Sequence, residues 1–527
     1  MLAQSTDLQE ILRRRTFAVV SHPDAGKTTI TERFLLAGGV IREAGHVKAK
    51  SGKKFATSDW MEIERKRGIS VTSSVLSFPY HGKQINLVDT PGHEDFCEDT
   101  YRALTAVDSA LVLIDAAKGV EPQTIKLMDV CRMRKTPIMV FINKMDREAR
   151  PPLELMDEIE QVLGLSCAPM TLPLGQGATF EGCFGIEDLK IRFFKDHGEE
   201  EDKAIQVDGP LDPRLDQWFL PSSLTPFRET YELVQGALDR VSVPRYLAGN
   251  QAPVFFGSAL HEFGIHHLLS LMAQISPSPA PRATSLGERQ ATEENFSGFV
   301  FKIQANMDAR HRDRIAYLRV CSGRCDRGAK VYHVRLGREI KMATPTQFMA
   351  QDKAIIDTTF AGDIIGIHDP GHFNIGDTLT TGESFQFEGI PDFPSEHFMR
   401  VVLEDPLTGK KLQKGLAQLS EEGAVQLFLP LQSSAPIVGV VGPLQFDVIR
   451  FRLESEYGAK CRMEGVSIYA ARWLKGETKK VEAFAREYSH DCAKDKAGNF
   501  VYLAPNEFRL QKIIENTTDL VFQAIRK

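Results

Sequence analysis

The stretch Ser21-His22-Pro23-Asp24-Ala25-Gly26-Lys27-Thr28-Thr29 lies between an apolar run, Phe17-Ala18-Val19-Val20, and a helical pattern that begins near Thr28. No other feature constrains the fold as strongly. A turn whose backbone N–H groups point inward, backed by a helix N-terminus, is a site for phosphate. Gly26 allows close backbone approach, Lys27 reaches the β- and γ-phosphates, and the Thr28 hydroxyl is placed to ligate Mg²⁺. Ser21 stands where the G-x-x-x-x-G-K-[ST] pattern begins with glycine. The plainer alternative is a Gly-capped turn, which ranks lower because strand and helix flank the loop on the correct sides.

From residue 16 to about 275, candidate strands (Phe17–Val20, Gln84–Val88, Ala110–Ile114, Pro137–Ile142, Pro253–Phe256) alternate with candidate helices (Thr28–Ala37, Glu94–Val107, Pro122–Arg134, Pro151–Leu163, Arg228–Asp239, His261–Ile275). This alternation predicts a mostly parallel sheet with helices on both faces and ligands at the carboxyl ends of the strands. Val71–Phe78 reads as an appended hairpin strand beside Gln84–Val88. Within this 1–275 domain, residues of about 165–226 turn Gly-, Pro- and acid-rich, including Gly198-Glu199-Glu200-Glu201-Asp202, and are expected to form an exposed, mobile insertion without chemistry of its own. Residues 276–294, opening with the proline-dense Ser276–Arg282, read as an extended linker. Short β-rich runs in 295–390 predict a closed β-barrel. Residues 391–527 read as strand, helix, strand, strand, helix, strand, a ferredoxin-like split β-α-β unit, followed by a short mixed tail from about Ile468. The fold class is therefore multidomain α/β.

Three further motifs fall at strand ends. Asp89-Thr90-Pro91-Gly92-His93 follows Ile85-Asn86-Leu87-Val88, so Asp89 can hold Mg²⁺ through water and the Gly92 N–H can bond a γ-phosphate. Asn143-Lys144-Met145-Asp146 follows Ile138–Ile142; the Asp146 carboxylate can accept N1–H and N2–H₂ of guanine, with Asn143 bracing the loop and the Lys144 stem over the base. Adenine would leave that carboxylate unpaired, which costs more than a lost contact. Ser258-Ala259-Leu260 supplies amides for guanine O6. Arg67-Gly68-Ile69-Ser70 falls where a mobile loop closes over the γ-phosphate, with Ser70 offering a second hydroxyl to the metal. Each motif alone is compatible with a turn; together and in this order they point to GTP.

At 527 residues the chain is long enough for about three or four domains. No apolar run is long enough for a bilayer, and the N-terminal MLAQSTDLQEILRRR carries its basic residues after its apolar ones, the reverse of a signal peptide. A cytoplasmic, membrane-free protein is expected. Of eight scattered cysteines only Cys321 and Cys325 are close, and no second Cys or His pair stands at zinc-ligand spacing, so reduced buried thiols are the reading. A net charge of −6 argues against nucleic-acid binding by bulk electrostatics. Local basic clusters (Lys48–Lys54, Arg310–Arg314, Lys410–Lys414) are solvated faces unless a partner is argued on other grounds.

With His22 and Asp24 in the phosphate loop, Arg67-Gly68-Ile69 before Ser70, and His93 after Asp89-Thr90-Pro91-Gly92, the chain resembles the translational GTPases. Phe301–Asp308, Leu419–Gln426 and Gly442–Asp447 extend the resemblance to the members that act in termination. It implies a GTPase stimulated by the ribosome that drives dissociation of class I release factors after peptide release, working as a monomer with GTP/GDP and Mg²⁺ on Thr28, Ser70 and Asp89. It also implies that His93 orients the attacking water, with Lys27 neutralising phosphoryl charge. Ser21, Pro23 and Ser70 depart from the commoner family residues, and Pro23 with Ile69 occupies the place of an apolar gate beside the histidine. A translocase or recycling factor related to elongation factor G, and a scaffold that senses GDP and GTP without turnover, are the alternatives. One split unit and a short tail is fewer domains than elongation factor G carries.

Overall fold

The computed structural model describes residues 2–41, 64, 70–194, 204–305, 314–349 and 352–525. Arg67–Ile69, the Lys48–Lys54 cluster, the acidic run 198–202 and residues 306–313 lie outside the described residues.

The first domain is built on a seven-stranded sheet in the order Ser74–Tyr80, Lys83–Asp89, Arg14–Ser21, Ser109–Asp115, Ile138–Asn143, Gln251–Phe256, Ser166–Pro169. Only the first pair is antiparallel. The central strands are apolar throughout because both faces are covered. Phe17, Val19, Leu111 and Phe141 pack with Ile30, Phe34 and Leu268 on one side; Ala18, Val20, Val112 and Val140 pack with Leu104, Leu127 and Ile159 on the other. Parallel register, with Val19 opposite Asp89 and Asp115 opposite Asn143, brings the motif-bearing strand ends to one edge.

The insertion is not the exposed segment expected. Ser166–Pro169 is an edge strand of the main sheet, and Thr171–Leu174, Gly182–Gly185, Lys190–Phe193 and Ile205–Gln206 form a separate antiparallel sheet. Phe180, Phe184, Ile191, Leu215 and Phe227 are buried in the same core as Ile142 and Phe256. Strands of four residues separated by glycines carry too few alternations to show a period. The helix expected from Glu94 is broken: a 3₁₀ turn, Glu94–Phe96, precedes the helix Cys97–Thr105. The helix expected from Arg228 begins instead at Pro221, with Pro226 inside it. The linker is tied down as well. Arg282–Thr284 pairs with Gly287–Arg289, and Arg282 Nη2 lies 2.8 Å from Asp108 Oδ1 and 2.8 Å from the Val107 carbonyl it donates to.

The second domain holds an eight-stranded sheet running from Arg338–Lys341 through Ser297–Ala305 and Arg314–Ser322 to Asp352–Ile355. Its end strands do not pair with each other among the described residues, so the sheet is an open half-barrel rather than the closed barrel expected. The edge strand Arg338–Lys341 presents exposed Arg338, Glu339 and Lys341, charges that discourage further pairing. This domain is bolted to the first. The Gly362 carbonyl accepts from Thr16 Oγ1 (2.6 Å), Asn86 Nδ2 (3.1 Å) and Arg319 Nη1 (2.8 Å), while Arg319 Nη2 lies 2.6 Å from Asp108 Oδ2 with both side chains buried.

In the third domain the expected split unit spans His397–Leu403 to Cys461–Gly465, and the tail is a second copy of it. Ala470–Lys475, Thr478–Glu487, Cys492–Asp495, Phe500–Ala504, Glu507–Asn516 and Val521–Gln523 repeat the order strand, helix, strand, strand, helix, strand. Numbered within each copy, the strands of the shared sheet run fourth, first, third, second, then second, third, first, fourth, a mirror order joined where Gln426–Pro430 meets Cys492–Asp495. Phe398, Phe428 and Ile437 of the first copy share a buried cluster with Trp473, Val501 and Leu503 of the second.

Among the described residues no disulfide joins any of the eight cysteines, and all but the partly buried Cys97 are buried. Among the described residues no helix is long and apolar enough to cross a membrane.

Candidate functional site

The phosphate loop joins Arg14–Ser21 to the helix Lys27–Ala37, and its shape depends on two residues of positive φ, Asp24 at 65° and Gly26 at 104°. At Gly26 a side chain is excluded twice, by that φ and because a Cβ would overlap the Asn143 amide. The helix begins without a side-chain cap, so its first amides remain available to an anion. Ser21 Oγ donates to the His22 carbonyl (2.9 Å), and the Ala25 N–H turns back to the same oxygen (3.3 Å). Lys27 Nζ lies 2.6 Å from Asp89 Oδ1, both side chains buried. Thr28 Oγ1 lies 3.5 Å from Ser70 Oγ, which brings the two expected hydroxyl ligands together. Two neutral hydroxyls and a nearby carboxylate are the hard oxygen donors that Mg²⁺ prefers.

The Asp89–His93 segment is held against the loop. Thr90 Oγ1 donates to Val19 O (2.8 Å), Thr100 Oγ1 to Pro91 O (3.0 Å), and Gly92 packs on the Pro23 and Ser21 backbone. His93 caps the 3₁₀ turn after it, its Nδ1 accepting the Asp95 N–H at 3.2 Å. On the approach to Ser70, buried Glu64 accepts from Val71 N (2.9 Å) and Thr72 N (3.2 Å), and Lys302 of the half-barrel reaches Ser73 and Asp99. Burial lowers the Lys302 pKa against the opposing pull of Asp99 and Glu64.

On the base side Asn143 is the hub. Its Nδ2 donates to Ala25 O (2.7 Å) and its Oδ1 accepts from Ala259 N (2.8 Å), locking the phosphate loop to the Ser258–Leu260 loop. Of the three amides expected for the base carbonyl, Ser258 N is bonded to Phe263 O and Ala259 N to Asn143, which leaves the Leu260 N–H. Arg33 of the phosphate-loop helix adds bonds to Ala259 O (3.3 Å) and Leu260 O (2.9 Å). Lys144, at φ 71°, extends to Asp115 Oδ2 (2.6 Å), and the Met145 N–H bonds Gly257 O (3.1 Å). Burial raises the Asp115 pKa, but the Lys144 hydrogen bond and charge and the Ala117 amide more than offset it, and the carboxyl is held below its usual value. Among the described residues, Asp146 Oδ1 and Ser258 Oγ are buried with no hydrogen-bond partner, an arrangement costly unless a ligand supplies donors.

Pairwise contacts thus tie the Asp89 segment, Asn143 and the Ser258–Leu260 loop to the phosphate loop or to one another. Sequence reasoning missed Asp115, whose signal was its place at a strand end in line with Asn143. It also missed Glu121, 3.0 Å from His22 Nε2, and Asp95, whose carboxylate accepts from the remote Leu444 N–H.

The model of the Elongation factor Tu GTP binding domain matches residues 12–278, more than half of the chain, and the chain belongs to this family of translational GTPases, hydrolases acting on GTP. Elongation factor G domain 2 matches residues 295–382, and Class II release factor RF3, C-terminal domain, matches residues 387–514. Together the three matches in this order indicate the release factor 3 type. The fold is also similar to that of a crystal structure from Thermus thermophilus, with a TM-score of 0.71 at 22% identity, covering 92% of this chain and 72% of that one.

Proposed function

We propose that the protein hydrolyses GTP on the ribosome during termination and thereby promotes dissociation of class I release factors after peptide release, acting as a cytoplasmic monomer. The observation that carries this reading is the release-factor C-terminal match standing behind a guanine-nucleotide cleft.

In this reading the Ser21–Thr29 loop and the uncapped helix behind it take the phosphates. Lys27 exchanges Asp89 for the β- and γ-phosphates, and the Gly92 amide bonds the γ-phosphate. Asp146 takes the guanine N1–H and N2–H₂, which give its buried oxygen donors, while Asn143 and Lys144 hold the loop and Leu260 N–H faces O6. Thr28, Ser70 and, through water, Asp89 would hold Mg²⁺, which when bound neutralises charge on the phosphoryl oxygens. His93 Nδ1 is occupied as an acceptor, so the ring proton is on Nε2, and Nε2 holds the attacking water.

Single-round displacement of a class I release factor from post-hydrolysis ribosomes tests the function. GTP-dependent displacement is expected. GTP hydrolysis with translocation or subunit splitting, and no displacement, would move the protein to another branch of the family; binding without multiple turnover would make it a sensor.

A further inference from the structure

His93 is held by a turn that does not stand on its own domain alone. Asp95, two residues on, donates its N–H to His93 Nδ1, and its carboxylate Oδ2 accepts the Leu444 N–H at 2.6 Å. Leu444 opens the helix Leu444–Ser455 of the third domain, preceded by Gly442 and Pro443, and that helix has no cap from its own Ncap side chain. Gly442 packs so closely on Asp95 that a Cβ there would overlap the Asp95 Cα, Cβ and Cγ. Behind the turn, Phe96 joins Val71 and Val448 in a buried apolar cluster flanked by Leu444 and Phe451. The His93 and Phe96 rings meet edge to face with centroids 6.2 Å apart. Thus a carboxylate of the first domain caps a helix of the third, and the same residue's amide sets the imidazole.

We propose that Asp95 is a positioning residue: by capping the helix Leu444–Ser455 it ties the aim of His93 to the seating of the third domain, so that hydrolysis requires that seating. The inference rests on the water-holding role of His93 given above. A three-residue turn has few contacts of its own; Val71 of the first domain packs on it, and the remaining apolar and capping contacts come from Val448, Leu444 and Gly442 of the third. Lifting that helix leaves the nucleotide-site contacts in place, because among the described residues the hydrogen bonds and ion pairs of Lys27, Asn143 and Asp146 all lie within the first domain, but it releases the turn.

The test uses the full-length chain with ribosomes and single-turnover GTP hydrolysis. Asp95→Ala is expected to lower the maximal stimulated rate at least tenfold, with GDP affinity and the ribosome concentration for half-maximal rate unchanged. Asp95→Asn, which keeps an acceptor for Leu444 N–H, should recover most of the rate. Gly442→Ala, on the other domain, should reproduce the loss, and the double variant should be no worse than either single one. In the His93→Ala background neither should lower the rate further. Undiminished turnover in His93→Ala would remove the parent reading, whereas a slow His93→Ala beside a full-rate Asp95→Ala would overturn the positioning role alone. Amide exchange needs no catalysis: Leu444–Phe446 should exchange at least tenfold faster in Asp95→Ala while Lys27–Ala37 is unchanged, and equal protection in both proteins would overturn the cap even if Gly442→Ala failed to fold.

Discussion

Lys27 and Asp89 form a buried ion pair, Nζ to Oδ1 2.6 Å, at the point where the phosphate loop and the Asp89–His93 segment touch. Each neutralises the other in a cleft that would otherwise hold a lone charge. Lys27→Ala should therefore both abolish nucleotide binding and destabilise the fold by about 3–5 kcal/mol, the cost of stranding a buried carboxylate. Lys27→Met with Asp89→Leu should regain most of that stability in urea unfolding and still bind no nucleotide. A double variant as unstable as the single one would show that the pair is not what the fold loses.

Asn143→Ala removes both bonds that join the phosphate loop to the base loop and orphans Ala25 O and Ala259 N. A loss of about 2–4 kcal/mol in unfolding free energy is expected, together with at least tenfold weaker GDP binding by fluorescence titration.

Glu98 lines the junction of the three domains, and burial pushes its carboxyl up to about 7 against the opposing charge of Arg102, with Asp392 and Asp99 adding to the rise. Because the folded pKa lies above the unfolded one of 4.5, the native state holds a proton that the unfolded state releases. Stability from this group is therefore intact below that lower value and falls as pH rises toward the upper one, by about 3 kcal/mol at most. Glu98→Gln should gain stability relative to the parent, by on the order of 1–3 kcal/mol, between urea titrations at about pH 5 and about pH 8. Parallel pH profiles would contradict this.

What was readable in the sequence is local in kind. The phosphate loop, Asp89–His93 and Asn143–Asp146 each carry their strand, turn and chemistry in contiguous residues, and the phosphate loop and the first residues of its helix contact Ser70, Asn143 and Asp89. The insertion was not readable because strands such as Thr171–Leu174 and Gly182–Gly185 are shorter than the window a period needs. The repeat in the third domain was hidden because its copies share topology, not motif. Glu64, Asp115 and Asp95 take their meaning from partners folding brings to them, in the case of Asp95 a helix 349 residues away.

The central claim, a guanine-specific site, is tested most directly at Asp146, whose buried Oδ1 has no hydrogen-bond partner among the described residues. The measurement is competition between GTP and XTP for the parent and for Asp146→Asn. An amide offers one donor and one acceptor, which suits the C2 carbonyl of xanthine, so preference should invert from GTP to XTP by several orders of magnitude in relative affinity. An Asp146→Asn protein that still prefers GTP as the parent does would contradict the account.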